Sequence, residues 1–309
     1  MLNKQIRILN FDDSVTSQRK LCSEYETDIV HLKDIGPGAR FWMDKRSEME
    51  IRNRIRGSAK NSVTFLGSGD FHQVSGILIE EIKEPVSVIH FDFHPDWNIF
   101  PPRASCGGWV TRALKNRNVL KHVIIGVCST RPSSFSVQTG NFGSLENDRV
   151  EIYPYAQVPS VVFLRKIPAN TSVNVRKGLF FKKIRWNALE GKNLKNVFLG
   201  IIKKIPPGRV YVSIDKDCLK KEWAATNWQE GKIPLKELLL MVRLIKENLD
   251  ITGADITGDY SPIIVKGIFK KIISRLNHPE VFSAKGLSDP EITAINEEAN
   301  LKILELLNS

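Results

Sequence analysis

Cysteine is scarce in this chain of 309 residues: Cys22, Cys106, Cys128 and Cys218 are scattered, and no two have zinc-finger or dithiol spacing. A disulfide framework and a thiolate metal site are therefore not expected, and a reducing, cytoplasmic setting is. The N-terminal "MLNKQIRILNFDD" lacks an apolar core behind a basic start, so no signal peptide is read there. No run approaches the ~18 apolar residues of a membrane span, which argues against a membrane partner. Internal repeats and low-complexity tracts are also missing. Acidic residues are outnumbered, 34 Asp and Glu against 45 Lys and Arg, giving a net charge of +11. The cations are dispersed, with short clusters such as "FFKKIRW" and "GIFKKIISR" but no long basic tract interleaved with aromatics. Nucleic acid is thus not the expected partner; the excess reads as a solvated basic surface, with an acidic partner as the open alternative.

What is present suits a soluble α/β protein. Hydrophobic residues make up 42% and charged residues 26%, enough to bury a large core without staples. Apolar, β-rich runs alternate with helix-like segments: "VTFLGSG" (63–69), "VSVIHFDF" (86–93), "HVIIGV" (122–127) and "RVYVSID" (209–215) read as strands, and "ITGADITGDYSP" (251–262) as a strand and loop. Helical spacing recurs in 73–82, 107–116, 234–249, 267–276 and 289–308, the last with Asp289 as N-cap and Pro290 at the first helical position. Continuous apolar strands between helices predict a three-layer α/β/α fold with a mostly parallel sheet. The stretch 129–205 is polar, Gly/Ser-rich and then basic, and reads as an irregular insertion within one domain spanning 1–309.

Three motifs fall at predicted strand ends, where such sheets place their ligands: "GSGDFH" (67–72), "DFHPD" (92–96) and "SIDKD" (213–217). They supply His72, Asp92, His94, Asp96, Asp215 and Asp217. In "VIHFDFHPDWN", Asp92, His94 and Asp96 alternate and so crowd one side of a strand end. Carboxylates buried side by side are costly unless neutralised, and a metal is the natural remedy. Two imidazoles and four carboxylates suit Mn²⁺, zinc or a related divalent ion. Four carboxylates exceed what one such ion needs; two ions about 3.5–4 Å apart, sharing carboxylates and activating a water, balance them. Taken singly, each motif could be a solvated loop or a helix cap. His90 lies deeper in the same strand and reads as core; His31, His122 and His278 have no site context.

The three motifs in this order resemble those of the ureohydrolase superfamily of arginases, agmatinases and formiminoglutamases, from about Val63 to Pro262. The resemblance implies an arginase-like fold and a binuclear manganese, hydrolytic centre. His72, Asp92, Asp96 and Asp215 would hold one Mn²⁺; Asp92, His94, Asp215 and Asp217 would hold the other, with Asp92 and Asp215 bridging. Asn98 matches a position that contacts substrate. Asp259, in "DITGDYSP", stands where the family has a Glu against the guanidinium, and Asp96 would move the proton.

The sequence also departs from the family pattern. Phe71 is inserted between Asp70 and His72, Cys106 occupies the position of a proton-shuttling His, and the third motif lacks its usual Asp-Pro. The segment expected to grip a free amino acid reads "NIFPPRASCGG", and Trp97, Trp109, Trp223 and Trp228 lie near the motifs, Trp97 as a candidate substrate wall. The pattern resembles most the divergent branch of peptide arginases, which convert arginine side chains in ribosomal precursor peptides to ornithine and urea. The basic charge would suit an acidic leader segment on such a precursor. The alternatives are a small-molecule ureohydrolase, a metal-dependent deacetylase on the same fold, or a non-catalytic binding protein. The resemblance also allows a homo-oligomer, without an interface signature in the sequence.

Overall fold

Eight strands in a computed structural model form one all-parallel sheet. The structure describes residues 4–57, 60–100, 104–128, 135–157, 159–163, 167, 170–178, 181–277 and 286–308. In chain order the strands are β1 (Gln5–Asn10), β2 (Thr27–His31), β3 (Ser62–Gly67), β4 (Val86–Phe91), β5 (Val119–Ile125), β6 (Val150–Tyr153), β7 (Ser160–Phe163), β8 (Val173–Lys177), β9 (Phe181–Trp186), β10 (Arg209–Asp215) and β11 (Asp250–Thr257). The large sheet runs β2-β1-β3-β11-β10-β4-β5-β6, and β7-β9-β8 form a separate antiparallel sheet. The eight-stranded sheet agrees with the parallel α/β arrangement expected from the sequence.

The sheet is parallel because its central strands are apolar on both faces. β3 and β4 are buried at every position. Alternation along β4 sends Ile89 and Phe91 into one core with Phe198, Met241 and Leu304, while Val86 and Val88 join Leu78 and Trp109 in the other. Helices Leu194–Ile202, Leu235–Asn248 and Asp289–Asn308 therefore cover one face, and Lys45–Arg54, Val74–Glu81 and Trp109–Ala113 the other. Helix Val74–Glu81 is buried from Val74 to Ile79, which explains why it is apolar all round rather than striped.

The chain passes from β3 to β4 across two positions that β11 and β10 fill later. That crossover sets the carboxyl ends of β3, β11, β10 and β4 side by side, and these are the strands that end in the three motifs and in "GDYSP". Two features differ from the sequence reading. β6 and the helix Leu194–Ile202 lie within 129–205, so the irregular part is confined between them and itself contains the three-stranded sheet. At the last helix, Ser288 rather than Asp289 is the cap: its N–H and Oγ–H both donate to Glu291 Oε2, at 2.8 and 2.6 Å, and its carbonyl accepts from Ile292. The Glu291 carboxylate thus supplies one half of a capping box, and the helix start moves by one residue. Among the described residues no helix is long and apolar enough to cross a membrane.

Candidate metal centre

Each motif leaves its strand through a tight turn. After β3, Ser68 Oγ accepts from the Asp70 N–H and a short 3-10 turn presents His72. After β10, Asp215 caps its own 3-10 turn by accepting from the Asp217 N–H at 3.0 Å. After β4, Asp92 Oδ1 accepts from the His94 N–H, and Asp96 adopts φ +44°, an uncommon conformation for a non-glycine residue. Asp96 is held there by the Trp109 indole, whose Nε1–H donates to Oδ2 at 3.0 Å. Two glycines make room. A Cβ on Gly69 would meet Asp215 Oδ2 at 2.7 Å, and one on Gly258, at φ +92°, would meet Asp215 Oδ1 at 2.4 Å.

The structure brings His72, Asp92, His94, Asp96, Asp215 and Asp217 together. His72 Nδ1 faces Asp92 Oδ2 at 3.2 Å, Asp96 Oδ2 at 3.4 Å and Asp215 Oδ2 at 3.4 Å. His94 Nδ1 faces Asp217 Oδ2 at 2.9 Å and Asp92 Oδ1 at 3.5 Å. Asp92 thus turns one oxygen to each imidazole. The His94 side chain is 30% exposed while the other five are nearly buried, so the centre opens to solvent beside His94. Trp228 stands at that opening with its ring 5.2 Å from His94, and the Gln229 amide lies 3.1 Å from His94 Nε2.

Electrostatics report the crowding. Burial pushes Asp96 up, Asp92 beside it pushes further, and its pKa reaches about 7. Burial together with Asp215 and Asp92 drives Asp217 well above the usual carboxylate range. Asp92 goes the other way: burial raises it, but His72, His90 and His94 outweigh that and hold it well below. Burial disfavours charge on His72 and His94, yet the facing carboxylates overcome it and raise both. His72 Nδ1 and Asp217 Oδ2 are buried without a hydrogen-bond partner. Orphaned donor atoms aimed into a cluster of carboxylates fit divalent cations, and the hard N/O set fits Mn²⁺ or a similar ion. Among the described residues, two groups have ligand atoms close enough to hold an ion: His72, His90, Asp92 and Asp96, and Asp92, His94 and Asp217.

A polar row behind the ligands escaped the sequence reading. His90, Ser213 and Asp255 are register partners on β4, β10 and β11. Ser213 Oγ–H donates to Asp255 Oδ1 at 2.7 Å and accepts from His72 Nε2–H at 2.9 Å, which leaves Nδ1 to the carboxylates. His90, kept neutral by burial, donates from Nε2 to Asp92 Oδ2 at 2.8 Å. The available signal was Asp255, a lone carboxylate inside an apolar strand. Likewise buried, Arg40 pairs with Asp70 at 2.9 Å and fixes the first turn.

The other candidates are not among the six clustered side chains. Asp259 is fully buried, with Oδ1 accepting from Lys216 Nζ at 3.0 Å, Gln18 Nε2 at 2.7 Å and Asn300 Nδ2 at 3.1 Å, so its carboxylate is engaged by protein groups. Trp97 is 1% exposed and packs on Phe142 and Trp186, so the structure places it in the core rather than at the opening. Cys106 starts the 3-10 turn Cys106–Gly108; burial, Asp96 and Asp70 push its thiol well above the usual range, which keeps it protonated. Asn98 lies in a cleft of about 680 Å³ with Glu80, Thr111 and Arg112, a cleft that none of the six clustered side chains lines. Its amide oxygen accepts from Thr139 at 3.1 Å.

Three outcomes are expected. Asp92→Asn and Asp215→Asn each lose Mn²⁺ binding measured by calorimetry, since each removes charge from the centre of the set. Because His72, His94 and Asp96 hold protons that a metal must displace, Mn²⁺ affinity falls as pH is lowered, through about 7 for Asp96 and from higher pH for the two raised imidazoles, by about tenfold per unit for each proton released; equal affinity at pH 6 and pH 8 would contradict this. Asp259→Ala leaves Lys216 buried and unpaired, so chemical denaturation should show a loss of about 3–5 kcal/mol. A raised KM with unchanged stability would instead mark Asp259 as a substrate contact.

Comparison with known proteins agrees with this fold. An uncharacterized protein of Thermotoga maritima is 26% identical over 263 residues, 85% of this chain and 83% of that protein. Among solved structures, Entamoeba histolytica arginase in complex with L-ornithine superimposes with a TM-score of 0.59 at 12% identity, covering 99% of each chain. Formimidoylglutamase of Bacillus subtilis gives 0.57 at 14% identity over 98% of this chain and 86% of that one. Proclavaminate amidino hydrolase of Streptomyces clavuligerus gives 0.56 at 12% identity over 99% and 93%. At such identities the structures speak for the fold alone. The sequence pattern of the arginase family, however, matches residues 50–265, more than half of the chain, and the protein therefore belongs to the arginase family, as a metal-dependent hydrolase of linear amidines.

Proposed function

We propose that this arginase-family hydrolase is a binuclear manganese guanidinohydrolase that converts arginine side chains of a ribosomally made peptide to ornithine and releases urea. The observation that carries the metal reading is Asp92, with Oδ2 toward His72 and Oδ1 toward His94. His72, Asp92, Asp96 and Asp215 would hold one ion, and Asp92, His94, Asp215 and Asp217 the other. When bound, the ions supply an activated water at neutral pH. Asp96 takes the water's proton at Oδ2, the oxygen that the Trp109 indole orients, and passes it to the leaving side-chain nitrogen. The new C–O bond forms on the guanidinium carbon, the C–N bond to the ornithine nitrogen breaks, and urea departs.

The surroundings of the opening support a substrate larger than a free amino acid. From His94 an aromatic track leads outward through Trp228, then Phe41 at 6.3 Å, Trp42 at 6.4 Å and Phe269 at 6.2 Å. It ends among Ile264, Ile268, Phe269 and Ile272, all more than half exposed. Phe41 is buried within the track, so what reaches solvent is the apolar patch at its far end; such a patch near a site suits an extended chain better than a small zwitterion. The former contacts of a free amino acid fall partly in 101–103, outside the described residues.

The test is urea release by Mn²⁺-loaded protein offered free arginine, agmatine and an arginine-containing peptide side by side. Urea from the peptide, with little from the small molecules, is the expected result. Urea from free arginine or agmatine alone would make the protein a small-molecule ureohydrolase.

A further inference from the structure

Between Ile152 and Leu189 the chain has seven Lys and Arg and no Asp or Glu, which supplies +7 of its net +11. The fold gathers part of this charge on one surface. β9 alternates, with Ile184 buried and Phe181, Lys183 and Arg185 exposed. Register places Phe163 of β7 opposite Phe181, Arg176 of β8 opposite Lys183, and Asn174 of β8 opposite Arg185. The outer face therefore presents two phenylalanines, 53% and 46% exposed, beside three exposed cations. The inner face anchors the sheet: the Trp186 ring lies 6.3 Å from Trp97, the residue between Asp96 and Asn98, and Trp186 Nε1–H donates to Ser160 Oγ at 2.8 Å.

Two features of this face work against stability. Arg176 and Lys183 are like charges directly opposite each other, which is unfavourable in a sheet. Exposed phenylalanines gain nothing from water. Charge on edge strands does guard against aggregation, but that purpose is not served by two bare aromatic rings beside it. A ligand that is anionic and partly apolar resolves both.

We infer that the outer face of the β7-β9-β8 sheet docks an acidic segment of a polypeptide. Carboxylates pair with Arg176, Lys183 and Arg185, an apolar side chain covers Phe163 and Phe181, and β8, an edge strand among the described residues, extends the sheet by strand addition. Three cations neutralise few phosphates, and a backbone edge offers nothing to a nucleic acid, so polypeptide is the favoured occupant. That the segment belongs to the substrate rests on the peptide reading above; the docking site itself rests on the sheet.

The experiment uses the full chain and fluorescence anisotropy with a labelled peptide rich in Glu and Phe, against its Lys-for-Glu counterpart and an oligouridylate. Binding of the acidic peptide alone, weakening with salt, is expected. Arg176→Glu/Lys183→Glu/Arg185→Glu should lower affinity by at least about tenfold, and the milder Gln triple variant should weaken binding in the same direction if the reversal impairs folding. Phe163→Ala/Phe181→Ala should weaken binding without changing its salt dependence. Unchanged affinity in both charge variants, or tighter binding of oligouridylate, would overturn the inference. Binding needs neither metal nor turnover: charge-dependent binding by a protein that releases no urea from arginyl peptides would end the hydrolytic reading and leave the docking site standing. Urea release from a short arginyl peptide that the charge variants retain, together with lost binding, would support both.

Discussion

Four carboxylates meet at the ends of β4 and β10, and their mutual repulsion is the constraint around which the centre is arranged. Asp92, Asp96, Asp215 and Asp217 are all buried, in surroundings where water cannot screen them. The two imidazoles each turn Nδ1 inward and share Asp92 between them. Behind them, Ser213 and Asp255 fix the ring of His72, His90 fixes Asp92, and the indole of Trp109 fixes Asp96. None of these partners neutralises the cluster. They orient its oxygens and nitrogens toward a common space, which is the arrangement a cation site requires.

The parallel sheet makes such a cluster affordable. Ligands sit on turns whose strands are buried on both faces and paired on both edges, so the turns have little freedom to relax away from one another. Gly69 and Gly258 let neighbouring turns close onto Asp215. The Lys216–Asp259 pair, with Gln18 and Asn300, ties the third motif to the N-terminal segment and to the last helix. The charge of Lys216, between the candidate ligands Asp215 and Asp217, is thereby compensated by Asp259.

Under the peptide reading proposed above, substrate selection would fall to less regular parts of the molecule. The apolar patch around Phe269, at the end of the aromatic track from His94, and the basic face of the small sheet are surfaces rather than pockets. The small sheet and residues 264–272 carry none of the six clustered residues, so both can vary without disturbing the cluster. Loops and insertions on a rigid scaffold are where such variation is tolerated.

The sequence by itself determined the strands that matter and the six clustered residues, because a buried parallel strand is a plain apolar run and a ligand at its end is a conspicuous polar interruption. It also located the excess of positive charge near "FFKKIRW", though not its meaning. Tertiary structure decided what spacing cannot encode. Asp259 and Trp97 sit beside motif residues in sequence, yet one is engaged by Lys216 and the other lies in the core with Trp186, since neighbours along a turn point in different directions. Ser213 and Asp255, 42 residues apart, become partners only because β10 and β11 align in register. The outer face of β7-β9-β8 likewise exists only through cross-strand pairing, which turns scattered cations and phenylalanines into one surface.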